Sequence, residues 1–201
     1  MSSLASSPSP SASAPVQAVR AKDLLLTKAE LLDGFWDESD DTSPDAEADQ
    51  QSDAPQCLRQ SEALRTPALT ESAAAGWTWS NTETVDAIYS LSYVYGSEAA
   101  AVNAFDAYRT RADGCTSWTA AAFAEKQVLF PMSVGDQSFG RMTTTTSVSH
   151  PEFSGGNQYW GVVRVKNVIV EAAYYPGPLL DTTNGQARTT RLVSKSAEKA
   201  E

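Results

Sequence analysis

The chain has one histidine, two cysteines, and 15 lysines and arginines against 25 acidic residues in 201 positions. Each shortage removes a class of function. A net charge of −10 and a pI near 4.6 repel a phosphate backbone, because nucleic-acid affinity rests on clustered Lys and Arg releasing counterions. No nucleic acid is expected as a partner. Hydrolysis of the Ser-His-Asp type needs a histidine held beside a nucleophile, but His150 lies in the polar stretch 143–151 and no GxSxG surrounds any serine. His150 therefore reads as a surface-loop residue. Gly155 and Gly156 are an isolated pair with no following Lys-Ser/Thr, which excludes a phosphate-binding loop. Neither cysteine sits in a CxxC or near the histidine, so no metal site is expected. The chain is read as non-enzymatic, with no catalytic residues and no cofactor.

Long hydrophobic runs are missing too. Nothing approaches the roughly 20 apolar residues that cross a bilayer, and no basic region followed by an apolar one opens the chain. As it stands the sequence shows no export signal. Two cysteines are the smallest even number that can pair. Cys57 and Cys115 are read as a structural disulfide, which needs an oxidising compartment, or as two unrelated buried thiols; spacing leaves both open.

What is present is a tail and a core. Residues 1–21 are nearly all Ser, Ala and Pro, a composition that cannot bury enough apolar surface to offset its ordering entropy, and they are read as a disordered tether. Residues 22–201, with 41% apolar and 20% charged residues over the whole chain, are read as a single domain. Leu24, Leu25, Leu31 and Leu32 predict a short helix from Asp23 to Leu32, stopped by Gly34. Residues 37–53 then carry eight acids and no base. A calcium loop would need a glycine at its sharp turn and this run has none, so it reads as a solvated loop. A helix is predicted from Cys57 through Leu64, ending before Pro67.

Alternating apolar residues from 68 to 95 predict two or three antiparallel strands, the second over Asp86 to Tyr95. Ser97 is an N-cap for a helix running to about Ala112, with Val102, Phe105, Tyr108 and Ala112 on one face and Gly114 as the stop. Strand-like runs follow at 118–124, 126–130 and 137–145. Tyr159 to Val165 and Val168 to Tyr175 flank Lys166-Asn167 and predict a β-hairpin. Leu192, Val193 and Ala197 mark a terminal helix on the sheet. The fold class is thus α+β, a twisted antiparallel sheet with helices packed against it. Exposed aromatics often line sites for sugars or lipids. Trp77 and Trp79 share a strand face, and with Trp118 they are the ligand-contact candidates of the sequence.

The run Leu24 to Leu32 with Gly34-Phe35, the strand Tyr89 to Tyr95 followed by Ser97-Glu98-Ala99-Ala100, the helix closing on Cys115 with Trp118, and Val163 to Glu171 together resemble the PknH-like extracellular sensor domains of actinobacterial cell-envelope lipoproteins. The resemblance spans about residues 22–201. It implies an extracytoplasmic ligand-binding or regulatory domain with a cleft, held at the membrane by a transmembrane segment or a lipidated cysteine and coupled to envelope-stress signalling, its partner an envelope ligand or a membrane signalling protein. The family pattern has two disulfides where this chain has only Cys57 and Cys115, and no lipobox precedes the tail. Met1 would then stand in place of a lipidated cysteine, with Ser2 to Pro15 as the tether. Two rivals remain: an envelope hydrolase using two cleft carboxylates, and a lipid or small-molecule carrier with a closed apolar cavity.

Overall fold

A computed structural model describes residues 19–32, 36–39, 51–80, 85–150, 154–176 and 184–201, without the side chains of residues 79, 80, 85, 154 and 155. Most of the tether and of the acidic run lies outside the described residues. Eight antiparallel strands form one sheet: β1 (Asp37–Ser39), β2 (Leu69–Ser80), β3 (Val85–Tyr95), β4 (Ser117–Ala120), β5 (Phe123–Pro131), β6 (Gln137–Ser147), β7 (Ser154–Val165) and β8 (Val168–Tyr175), in spatial order β1-β2-β3-β8-β7-β6-β5-β4. The chain lays down β1 to β3 from one edge, crosses a face to the other edge, and returns strand by strand until β8 pairs with β3. Helix α1 (Pro55–Leu58) precedes β2, α2 (Glu98–Gly114) makes the crossing, and α3 (Gly185–Glu198) ends the chain.

The central pair β7 and β8 is buried on both faces, every residue from Tyr159 to Val165 and from Val168 to Tyr174 being buried. This is why their sequences read as continuous apolar runs rather than as alternation. Lys166 takes the left-handed conformation at their turn (φ 51°), and the turn is pinned to the end of β3 by Asn167 Nδ2 donating to the Tyr95 carbonyl (2.8 Å) and the Tyr95 N–H donating to the Asn167 carbonyl (2.9 Å).

Because side chains alternate across a strand, the sheet has two cores. One face carries Trp77, Ile88, Tyr159, Val163, Val170 and Tyr174 against Leu192, Val193 and Ala197 of α3 and against Leu24, Leu26 and Leu31. The other carries Leu91, Tyr93, Tyr95, Phe139, Val162 and Ile169 against Ala101, Ala104, Phe105, Tyr108 and Ala112 of α2. Ser97 caps α2, its Oγ accepting from the Ala100 N–H (3.2 Å). Val102, expected inside, is only half-buried, and Ala101 and Ala104 take the inner positions.

Two expected helices are not continuous. Residues 23–32 form two short 3-10 turns, Ala21–Leu24 and Lys28–Glu30. Between them the Leu26 N–H donates to Ser90 Oγ (3.0 Å), so bonding to β3 replaces the intrahelical ladder. Ala21, at the end of the expected tether, is fully buried, and its carbonyl accepts from Ser92 Oγ (2.7 Å). After α1 the chain continues as a 3-10 turn, Gln60–Leu64. Gln60 Nε2 donates to the Cys57 carbonyl (3.0 Å), the acceptor that a continuing helix would give to the Ser61 N–H. The first acids of the expected loop, Asp37 to Ser39, form the short, charged edge strand β1, a composition that discourages pairing with another chain.

Cys57 and Cys115 form a disulfide, with Cα atoms 5.5 Å apart. It joins α1 to the residue following α2 and is buried with Trp118 and Ala120 of the far edge.

Candidate functional site

The helix α2 runs over one end of its face, and at its margin the sheet turns polar. Register places Tyr89, Ala173, Trp160 and Arg141 side by side across β3, β8, β7 and β6. One step toward α2 come Leu91, Glu171, Val162 and Phe139. Thr143 lies two residues along β6 from Arg141 and so on the same face. Every element needed for this placement is an ordinary strand; the unusual feature is a charged residue in an otherwise apolar run, Glu171 within Val168–Tyr175 and Arg141 following the buried Phe139 and Gly140.

Arg141 and Glu171 are buried, their side chains 7% and 1% exposed, with Nη2 3.8 Å from Oε1. Tyr108 of α2 donates its hydroxyl to the same Glu171 oxygen at 2.6 Å. Burial raises the Tyr108 hydroxyl well above its ordinary value against the opposing pull of Arg141, and the Glu171 charge adds to the rise. The phenol therefore stays a donor. Burial works against the Arg141 charge, but Tyr108, Glu171 and Tyr175 more than offset it, and its affinity for the proton rises. The guanidinium lies 3.7 Å from the centre of the Trp160 ring, the geometry of a cation–π contact in a desolvated place. From Trp160 an edge-to-face chain of rings continues outward, to Tyr175 (5.3 Å between centroids) and then Tyr89 (5.4 Å), both half-buried.

This floor is not self-sufficient. Arg141 Nε, Trp160 Nε1 and Thr143 Oγ1 are buried and have no hydrogen-bond partner among the described residues. A buried polar atom left unpaired costs about 1–3 kcal/mol, so three on one patch are a standing cost that a partner would remove. Beside Thr143, its register partner Gln127 is satisfied: Nε2 donates to the Ala112 carbonyl (2.8 Å) and Oε1 accepts from Gln60 Nε2 (2.9 Å). Gln127 thus links the floor to the disulfide side.

The candidate tryptophans fall elsewhere. Trp77 is buried in the opposite core and lines an open groove of about 520 Å³ with Leu25, Leu26, Lys28 and Glu38. Trp118 is buried against the disulfide at the far edge, on the face of α2. They lie on opposite faces toward opposite edges of the sheet, and the structure does not bring them together. The side chain of Trp79 lies outside the described residues. The sequence reading does not single out Arg141, Trp160 and Glu171, which become neighbours only through register; the available signal was a charge within an apolar strand. Among the described residues the buried acids Asp86 and Glu171 lie on opposite faces, so they form no carboxylate pair, and His150 is exposed. No cluster of His, Cys, Asp and Glu among the described residues could hold a metal ion.

Residues 16–199 match the family described as PknH-like extracellular domain. The chain belongs to this family. It is similar in fold to the crystal structure of the extracellular domain of PknH from Mycobacterium tuberculosis, at 14% identity and a TM-score of 0.57, over 90% of this chain and 94% of that one. A second solved structure, of an uncharacterized protein from Mycobacterium smegmatis, aligns over 81% of this chain and 80% of its own at 10% identity and a TM-score of 0.41, too low to carry an argument. No curated protein matches the chain. The PknH-like family is one of extracellular domains and not a known enzyme family, and among the described residues no helix is long and apolar enough to cross a membrane.

Proposed function

We propose that this PknH-like domain is a sensor-like, ligand-binding module of a cell-envelope lipoprotein, with Arg141, Trp160 and Thr143 as the floor of its binding site and Tyr175 and Tyr89 as its aromatic wall. The observation that carries the reading is the three buried, unpartnered hydrogen-bonding atoms gathered beside an ion pair and a chain of rings. Stability alone does not favour such a patch, since a buried ion pair is commonly matched or bettered by apolar residues of similar volume. A site that recognises something outside the chain does favour it, because binding groups are a few placed polar atoms within an aromatic surround. In this reading the Ser/Ala/Pro-rich tether holding the domain off the membrane stops short of Ala21, which is buried in the fold, and the disulfide suits an oxidising compartment. The signalling role, in envelope stress or otherwise, would lie with the partner that reads the bound state.

The test is to expose the purified chain and its Arg141→Met, Glu171→Leu double variant to an envelope extract and to identify retained small molecules by mass spectrometry. Enrichment on the native chain alone supports the reading. Equal retention by both, or none by either, removes it. The carrier alternative gains no support from the groove beside Trp77, which is open and rimmed by Lys22, Asp23, Lys28 and Glu38 rather than closed and apolar.

A further inference from the structure

Among the orphaned atoms of the proposed floor, those of Arg141, Trp160 and Thr143 are two donors and a hydroxyl. Arg141 Nε and Trp160 Nε1 can only donate hydrogen bonds, and the Thr143 hydroxyl can donate or accept. All three belong to side chains more than nine-tenths buried, on the adjacent strands β6 and β7. The nearby carboxylate, Glu171, takes the Tyr108 hydroxyl on Oε1, which lies 3.8 Å from Arg141 Nη2, so its charge faces the opposite end of the guanidinium from Nε. Arg141 in turn has its guanidinium carbon 3.7 Å from the centre of the Trp160 ring, a contact that restrains the side chain.

Resting on the reading of this patch as a ligand site, we propose that it takes an oxyanion, a carboxylate or a phosphate, carried by a ligand whose body lies against Tyr175 and Tyr89. A planar guanidinium edge with neighbouring N–H and O–H donors is the arrangement that recognises such groups, because charge-assisted hydrogen bonds are stronger than neutral ones and a fixed fork adds geometric selection. An anion seated on the patch would offer acceptors to these orphaned atoms. The ring chain supplies a flat apolar surface beside them, so the body of the ligand contributes to binding while the oxyanion sets orientation. With a net charge of −10 the protein surface does not gather anions in general. Recognition must come from these buried donors, not from a basic patch.

Three sugars of one body separate the arms: glucuronate carries a carboxylate, glucose 1-phosphate a phosphate, and glucose neither. The readout is the indole N–H signal of Trp160 in the ¹⁵N-labelled full chain, which has five tryptophans and whose Trp160 signal is assigned with Trp160→Phe. Saturable shifts of that signal by glucuronate, by glucose 1-phosphate or by both support the inference, and the stronger one names the source of the oxyanion. Thr143→Val, which keeps the side-chain shape, should weaken binding about fivefold, the loss of one hydrogen bond. The double variant Arg141→Met, Glu171→Leu should abolish it while keeping the fold, as checked by circular dichroism. Glucose binding as well as the two anions, with the same Trp160 shift, would overturn the oxyanion inference and leave the ligand-site reading standing. No shift from any of the three at tens of millimolar would also overturn it, while retention from an envelope extract separately decides the broader reading.

Discussion

Under α3 the sheet presents Val163, Val165, Val168 and Val170 to Leu192, Val193 and Ala197, whereas under α2 and at its margin the same strands present Trp160, Glu171 and Tyr175, with Arg141 and Thr143 beside them on β6. A single strand shows both characters: β8 sends Val168, Val170 and Ala172 to one side and Ile169, Glu171 and Ala173 to the other. On the α3 side buried hydroxyls serve the chain itself, as Ser90 and Ser92 do in holding the N-terminal turns. Even there Thr189 and Ser196 of α3 keep hydroxyls without a partner among the described residues, but these groups are neutral. Each buried Val or Leu contributes roughly 1.5–3 kcal/mol; the Arg141–Glu171 pair contributes little over an apolar substitute. Both faces pack apolar cores, and the α2 face adds the buried Arg141–Glu171 pair, whose burial we read as serving recognition.

The largest way to test this division is the disulfide, which belongs to the α2 side alone. Replacing Cys57 and Cys115 by alanine should lower the unfolding free energy by about 4 kcal/mol in the chain-entropy account, for a sequence separation of 58. Urea unfolding measures the loss, and hydrogen exchange should quicken in α2 more than in α3. Equal quickening in both would mean the bridge serves the whole molecule. Next come paired substitutions of similar cost, about 3 kcal/mol each. Leu192→Ala opens a cavity in the α3 core and should leave ligand binding intact. Glu171→Gln leaves the Arg141 charge uncompensated and should disturb binding as well. The double variant Arg141→Met, Glu171→Leu should restore stability to within about 1 kcal/mol of native while remaining unable to bind. If instead it unfolds as readily as Glu171→Gln, the pair is structural and the comparison of faces fails.

How much of this was readable beforehand follows the same division. The α3 face could be read, because Leu192, Val193 and Ala197 show the helical period and β7 and β8 show long apolar runs around the turn at Lys166-Asn167. Ser97 and the buried positions Phe105, Tyr108 and Ala112 announced α2 in the same way. The broken helices near residues 21–32 and 55–64 could not be read, since Leu26, Ser90, Gln60 and Cys57 make competing bonds across distances the local pattern does not see. The proposed binding floor escaped for a related reason. Arg141, Trp160 and Glu171 are 19 and 11 residues apart in the chain, and only the register of β6, β7 and β8 makes them neighbours. The aromatic signal led to Trp77 and Trp118 because tryptophan is conspicuous in a sequence, whereas an arginine inside a strand is conspicuous only once the strand is known to be buried.

Smaller effects sharpen the contrast further. Tyr108→Phe removes the donor to Glu171 from α2 without changing the packing shape, and should cost about 1.5 kcal/mol, the range for a hydrogen bond to a charged group. Its measurement is the urea midpoint, with hydrogen exchange showing the loss at the helix-to-sheet contact. A cost near zero would mean that Arg141 alone satisfies Glu171.

The smallest effect lies on the α3 side and depends on pH. Lys199, just past α3, donates to Glu30 Oε2 at 2.7 Å, and the Thr27 N–H and hydroxyl donate to the same oxygen at 2.7 and 2.9 Å. Burial disfavours the Glu30 charge, but these donors outweigh it and hold the carboxyl below its ordinary value of 4.5. A carboxyl whose pKa is lower in the folded than in the unfolded chain adds stability that is fully present above the unfolded value and is lost as pH falls through the folded one. Glu30→Gln should therefore cost about 1 kcal/mol at neutral pH. That difference from the native chain should stay level down to about 4.5 and then shrink as acidification protonates Glu30. Urea unfolding of both proteins across this range measures it. A difference that persisted unchanged below the folded value would show that Glu30 acts through packing, leaving the join between the N-terminal turns and α3 as apolar as the rest of that face.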